Sequence, residues 1–339
     1  MPVDPVNASF PGSPASAPGI AGNGAGCGLA LGYLVFAVRK PSRWERFCHD
    51  MLGLPEPVSN PDGSHGYRMD GAMQRLIVAE GAEDDLAALG LVCEDDTVFD
   101  ALAARLRGMH IPVEEGSPPL RASRRVQRLM AIRDPDGNAV ELAVGMEAAP
   151  VPFVSGAFSS GFHTGRLGMG HAVLVSHRLE AMEAFYTGVL GFGVSERLAT
   201  KVGPMDIRGI FLHCNERHHS VAIFDMPLQK RMQHFMLQAE DVCDVGMAFE
   251  RAKLAKVPIS LNMGQHPHPD GTISFYGVTP SGFDFEIGAG CKEIEPRGWQ
   301  PLHTTVTSSW GHKPSLRLQM KMAASMLASA VKGGSRAKQ

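Results

Sequence analysis

The chain has 339 residues, 44% of them hydrophobic and 20% charged, with a formal net charge of −3. That length accommodates two domains of ordinary size around a buried core, and the slight acidity argues against nucleic acid as a partner, which asks for a basic face. The six cysteines (27, 48, 93, 214, 243 and 291) follow no zinc-binding spacing and read as free thiols of a cytoplasmic protein.

Residues 1–28 are rich in Pro, Gly, Ala and Ser, without a basic segment leading into an apolar one. They read as a flexible tail rather than a secretory signal. The longest apolar run, Leu29 to Val38, is too short to span a bilayer and predicts a buried strand, so no membrane partner is expected. A helix from Ser42 follows, with Trp44, Phe47 and Met51 at helical spacing. It ends at the Leu52-Gly53 step, where glycine can take the left-handed cap. Next come a strand over Leu89 to Cys93 and a helix over Val98 to Arg107. The acidic Glu94-Asp95-Asp96 between them suits the helix N-terminus. The turn Asp134-Pro135-Asp136-Gly137 then leads into a strand ending at Glu141.

The second half repeats this order. A strand over Gly170 to Val175 precedes a helix from Leu179 with Met182, Phe185 and Val189 at helical spacing, closing at Leu190-Gly191. His234 to Ala239, then Glu240-Asp241 and a helix over Val245 to Lys253, match the third and fourth elements of the first half. Thr279-Pro280-Ser281-Gly282, followed by a strand to Glu286, matches the last. The expected fold class is α+β, two tandem domains each of two βαβββ modules. The boundaries are a tail over 1–28, a first domain over 29–146, a linker over 147–164 rich in Pro, Ser and Gly, a second domain over 165–291, and an extension over 292–339. The extension has helical composition from Ser315 to Val331.

Phe283, Phe285 and Ile287 alternate with Asp284 and Glu286, so the strand ends on a carboxylate aimed at one chosen face. A buried carboxylate needs a partner, and a metal ion is the obvious one. His171 sits early in its strand and His234 begins another. Two histidines and a carboxylate leave half an octahedron open, the arrangement of non-haem iron(II) oxygenases, although Mn(II), Zn(II) or Ni(II) would accept the same ligands. A lone histidine is more often a hydrogen-bonded structural residue. The repeat supplies the contrast: the matching first-half positions are Tyr33, Leu89 and Glu141, so the first domain is expected to be metal-free. Glu141 is then a relic or a structural carboxylate.

Four stretches carry a family likeness: Phe211 to His219, Pro227 to Met236, Ile273 to Glu286, and Trp310-Gly311-His312-Lys313. Over about 29–314 the chain resembles the two-domain type I extradiol catechol dioxygenases of the vicinal oxygen chelate superfamily, within them the 2,3-dihydroxybiphenyl 1,2-dioxygenase group. The resemblance implies Fe(II) held by His171, His234 and Glu286, and O2-dependent opening of a bicyclic or aryl-substituted catechol beside its hydroxyls. It also implies a homo-oligomer. By position, His219 matches the family's acid–base histidine, Tyr276 the tyrosine bonded to the substrate oxygen, and Val173 and Phe211 the dioxygen pocket. Without the family, His219 reads as a loop histidine and Tyr276 as an ordinary strand aromatic.

One segment departs from the pattern. Where the family has Gly-Arg-His-x-Asn-Asp, this chain has Gly264-Gln265-His266-Pro267-His268-Pro269-Asp270. His266 or His268 takes the substrate-contacting position. Distance from Gly264 favours His266, and distance from Ser274 favours Asp270 beside it. Pro280 completes the expected pocket lining. The rival readings on this fold are a glyoxalase-like isomerase or lyase, which usually wants an additional carboxylate ligand, and a ligand-sequestering protein of the bleomycin-resistance type, which needs no His-His-Glu set.

Overall fold

The computed structural model describes residues 27–202, 205–315 and 319; the expected tail over 1–28 and the helix from Ser315 fall almost wholly outside them. In the first half, strands β1 (Leu29–Val38), β2 (Val58–Ser59), β3 (His65–Tyr67), β4 (Leu76–Glu80), β5 (Asp85–Cys93), β6 (Glu114–Glu115), β7 (Val126–Arg133) and β8 (Ala139–Met146) form one sheet. Helices α1 (Pro41–Arg46), α2 (Asp96–Gly108) and α3 (Pro118–Arg124) connect them. In the second half, β9 (His171–Val175), β10 (Gly193–Val202), β11 (Met205–His213), β12 (Val221–Asp225), β13 (Met232–Gln238), β14 (Ile259–Gln265), β15 (Ile273–Val278) and β16 (Asp284–Ala289) form the other, with α4 (Leu179–Gly188) and α5 (Val242–Leu254). Two short strands of the extension, β17 (Leu302–Thr304) and β18 (Trp310–Gly311), close the two edges of that second sheet. The order strand, helix, three strands occurs four times, as the repeat predicts, with α3 inserted between β6 and β7 in the second module.

Local chemistry sets the element ends. Asp95 accepts a hydrogen bond from the Val98 amide at 2.9 Å, and Asp241 one from the Cys243 amide at 2.7 Å, so the acids ahead of α2 and α5 act as N-caps. α1 runs on through a π-helical turn over Phe47–Met51, and the Leu-Gly steps close that turn and α4, Gly53 at φ +62° and Gly191 at φ +82°. The two halves share a core. Trp44 of α1 lies 4.9 Å from Phe36 and 5.8 Å from Phe283, ring to ring. Its indole donates to Ser281 Oγ at 2.8 Å across the junction.

Three strand details correct the sequence reading. His234 does not begin β13: the strand starts at Met232, and its pairing with β9 slips between Met232 and His234, a bulge that sequence alternation does not reveal. Glu286 does not end β16 but is its third residue, because Ile287, Gly288 and Ala289 continue the ladder with β15. The counterpart of His234 is Ala88, not Leu89. Glu141 pairs with Gly90 as Glu286 pairs with Met236, which sets Ala88 against His234. A slip of one residue reverses the face of a strand: Leu89 packs in the main core, and Ala88 lies in the cluster that holds Tyr33.

Candidate metal centre

β9, β13 and β16 are neighbours in the second sheet. Met236 pairs with both His171 and Glu286, so these two flank it on one face, and His234, two residues earlier, shares that face. Tyr276 pairs with Glu286 and Val173 with His234, which adds both side chains to the same surface.

The three candidate ligands converge. His171 Nε2 lies 3.0 Å from His234 Nε2, and each lies 3.2 Å from Glu286 Oε2. An octahedral ion with bonds of about 2.1 Å separates adjacent donors by about 3.0 Å, so one face of an octahedron fits these atoms. The Glu286 carboxylate is 1% exposed, and neither oxygen has a well-formed hydrogen bond. An orphaned buried carboxylate facing two imidazole nitrogens is the donor set a divalent cation satisfies. Gln233 Oε1 accepts the proton of His234 Nδ1, which leaves Nε2 as the lone-pair nitrogen. Burial holds His171 down at about 4 against the opposing pull of Glu286, so its imidazole is neutral. Burial alone would raise Glu286, but His171, His234 and His266 outweigh it and keep the carboxyl well below its ordinary range.

Around this face stand the other expected residues. The His219 ring stacks 4.1 Å from His171, and its Nδ1 meets His218 Nδ1 at 3.1 Å. Burial, with His171 and His218 nearby, holds His219 well below the usual imidazole value. Phe211 packs edge-on to His219 at 4.9 Å. His266 enters the site: its Nδ1 donates to the Thr307 carbonyl at 2.8 Å, and its Nε2 lies 2.8 Å from Tyr276 Oη and 3.4 Å from Glu286 Oε1. Asp270 is buried, accepts from Thr272 Oγ1 at 2.7 Å, and is grouped with His218 and His219.

Two expected pocket residues are not brought in. His268 is exposed, because the proline-flanked loop turns its side chain outward after His266. Pro280 sits in the turn after β15, four residues and about 13 Å of strand beyond Tyr276. The next residue, Ser281, is bonded to Trp44 and Asp84 of the first half.

Sequence reasoning left other wall residues unassigned. His312 stacks 4.6 Å from His266 and meets Ser308 Oγ at 2.7 Å through Nδ1. Its Trp-Gly-His-Lys stretch carried the signal, but no role came with it. Glu196, beside His218, carried none, since nothing in the alternation of β10 marks it as buried.

Against known proteins, residues 168–287 match the Glyoxalase/Bleomycin resistance protein/Dioxygenase superfamily, and residues 31–81 match Dihydroxybiphenyl dioxygenase BphC D1. The biphenyl-2,3-diol 1,2-dioxygenase of Paraburkholderia xenovorans is 38% identical over 286 residues, 84% of this chain and 95% of that protein. The iron-dependent extradiol dioxygenase of Rhodococcus jostii is 34% identical over 86% of this chain and 98% of its own. Among solved structures, BphC, a halotolerant catechol dioxygenase, superimposes with a TM-score of 0.77 at 32% identity, covering 85% of this chain and 95% of that one. An Mn(II)-bound glyoxalase from Novosphingobium aromaticivorans, at TM-score 0.71 and 23% identity over 84% of this chain and 92% of that one, shares the fold.

Proposed function

The chain belongs to the type I extradiol ring-cleavage dioxygenases of the vicinal oxygen chelate superfamily, and on that premise we propose that it opens a bicyclic or aryl-substituted catechol, such as 2,3-dihydroxybiphenyl, with O2. The enzyme class and its use of Fe(II) follow from the relatives. The observation that carries the site is the convergence of His171 and His234 on the buried Glu286 carboxylate, neither oxygen of which has a well-formed hydrogen bond.

In this reading those three residues hold the iron. Bound Fe(II) would supply Lewis acidity toward the catechol oxygens and an electron path between substrate and O2. His219 is the acid–base group. Its neutral ring is tied to His218 through Nδ1, which leaves Nε2 to take a phenolic proton and return it later. Tyr276 orients a substrate oxygen. The Thr307 carbonyl accepts from His266 Nδ1, and Glu286 outweighs burial to raise His266 to about 9, so its Nε2 donates to Tyr276 Oη and holds that hydroxyl in place. Val173 and Phe211 give the O2 side an apolar wall, and Asp270 lies at its polar rim. We also propose a cytoplasmic homo-oligomer: the six cysteines are free, as in reducing compartments, and the oligomer follows the family.

The experiment is anaerobic purification, Fe(II) reconstitution and oxygen-uptake assays with 2,3-dihydroxybiphenyl, 3-methylcatechol and catechol. Oxygen uptake with a yellow ring-opened product, fastest for the biphenyl diol, is expected. Equal or faster turnover of catechol would overturn the substrate reading, and no uptake with any of them the activity itself.

A further inference from the structure

Among its described residues the first half has no complete ligand set, yet it touches the strand that carries His234. Asp85, the first residue of β5, is buried and aims its carboxylate across the junction at the start of β13. Its Oδ2 accepts the Arg231 amide at 2.8 Å, and its Oδ1 accepts the Met232 amide at 3.1 Å. Those amides immediately precede the β-bulge that lies between Met232 and His234. A bulge re-aims the side chains that follow it, so whatever fixes its entry fixes the direction of His234. The adjacent loop reinforces the grip. Lys230 Nζ donates to the Asp84 carbonyl at 2.6 Å, and Ser281 Oγ, in the turn leading into β16, donates to Asp84 Oδ1 at 3.1 Å.

We propose that Asp85 is a positioning residue for the metal centre: by holding the backbone amides ahead of the β13 bulge it sets where His234 stands relative to His171 and Glu286. The first half is thereby part of the apparatus that shapes the site. The proposal rests on the ligand assignment given above.

The test measures Mn(II) affinity of the full chain anaerobically, by the EPR signal of free and bound ion, for wild type, Asp85→Ala, Asp85→Asn, Leu102→Ala and Glu286→Gln. Asp85→Ala removes both acceptors and is expected to weaken Mn(II) binding roughly 10–100-fold, the range found when groups supporting ligands are lost. Asp85→Asn keeps one acceptor and should fall between. Leu102→Ala cuts the core under α2, where no described residue bonds Asp85 or the start of β13; it should lower the melting temperature but leave affinity within about twofold of wild type. A merely structural role for Asp85 would make Leu102→Ala weaken binding as much as Asp85→Ala does, and that result overturns the proposal. So do Asp85→Ala and Asp85→Asn both within about twofold of wild type. If Asp85→Ala does not fold, Asp85→Asn and Ser281→Ala are read by the same criterion. Glu286→Gln separates the two failures. Wild type binding no better than Glu286→Gln sinks the ligand assignment, whereas tight binding lost only in Glu286→Gln sinks the positioning role alone.

Discussion

The two halves place a glutamate at the same register of the same strand and resolve it in opposite ways. Glu141 accepts Tyr33 Oη at 2.8 Å, Arg124 Nε at 2.8 Å and Arg124 Nη2 at 3.0 Å. A guanidinium from α3 occupies the cation's role, and a tyrosine and an alanine stand where the second half has histidines. Glu286 instead meets the ring nitrogens of His171 and His234 at 3.2 Å, and neither of its oxygens has a well-formed hydrogen bond. A buried carboxylate must be neutralised in both. The first half does so with its own side chain and becomes scaffold. On the proposed ligand assignment, the second half leaves the task to an ion.

The largest effect expected from this contrast is a crossed pair of substitutions. Glu286→Gln should abolish Mn(II) or Fe(II) retention and cut kcat/KM by more than about a thousandfold, beyond the 10–100-fold typical of residues that merely support ligands. Glu141→Gln should leave metal content unchanged. If both variants keep their metal, the distinction between the halves is broken. Next, His219→Ala should slow turnover by ~10²–10⁴ with iron content intact, the usual scale for removing an acid–base group. Loss of iron on that change would move His219 into the ligand set.

Arg124→Ala sharpens the other side of the comparison. It strands Glu141 as an uncompensated buried charge and should destabilise the protein by about 3–5 kcal/mol in urea melts. The double variant Arg124→Ala/Glu141→Gln should recover much of that loss, because the charge is then gone. An additive double variant would show that Arg124 acts through packing alone.

Much of this was legible in the sequence. The duplicated pattern of apolar strand, helix and Pro-x-Gly turn announces four modules, because period-2 and period-3.6 alternation follow from burial on one face. What alternation cannot report is register. Leu89 reads as the counterpart of His234 although Ala88 stands there: β5 and β13 both carry a bulge one residue ahead of that position, and alternation around a bulge does not report which residue faces which way. Nor can linear order show which residues close over a site from afar. Arg124 lies 17 residues from Glu141, and Asp85 lies 146 residues from Arg231. Both are charged residues that sequence alone assigns to a surface. The His266–His268 ambiguity is of the same kind: two histidines spaced by one proline differ only in which way the loop turns them.

The smallest effect probes whether unpaired ionisable groups are a general feature of the second half. In the first half, Asp70 meets Arg75 at 2.6 Å, and that guanidinium outweighs burial to hold it below the usual range. Glu196 is 5% exposed, and its nearest ionisable neighbour, His218 Nε2, lies 3.6 Å away and is kept neutral by burial. Burial, with Asp270 adding to it, pushes Glu196 up to about 7. An unfolded glutamate titrates near 4.3, so between roughly pH 4.3 and 7 the native state holds a proton that the unfolded chain has lost. Stability from this residue is therefore fully present at low pH, falls as pH rises through that window, and stays lost above it. Glu196→Gln removes the dependence. At pH 8 the variant should be more stable than wild type by about 1–3 kcal/mol, and at pH 4 the two should converge. Urea midpoints of the metal-free proteins at the two pH values measure it. A difference that does not change with pH would mean that Glu196 is ionised throughout, and the unmatched carboxylates of this half would then reduce to Glu286.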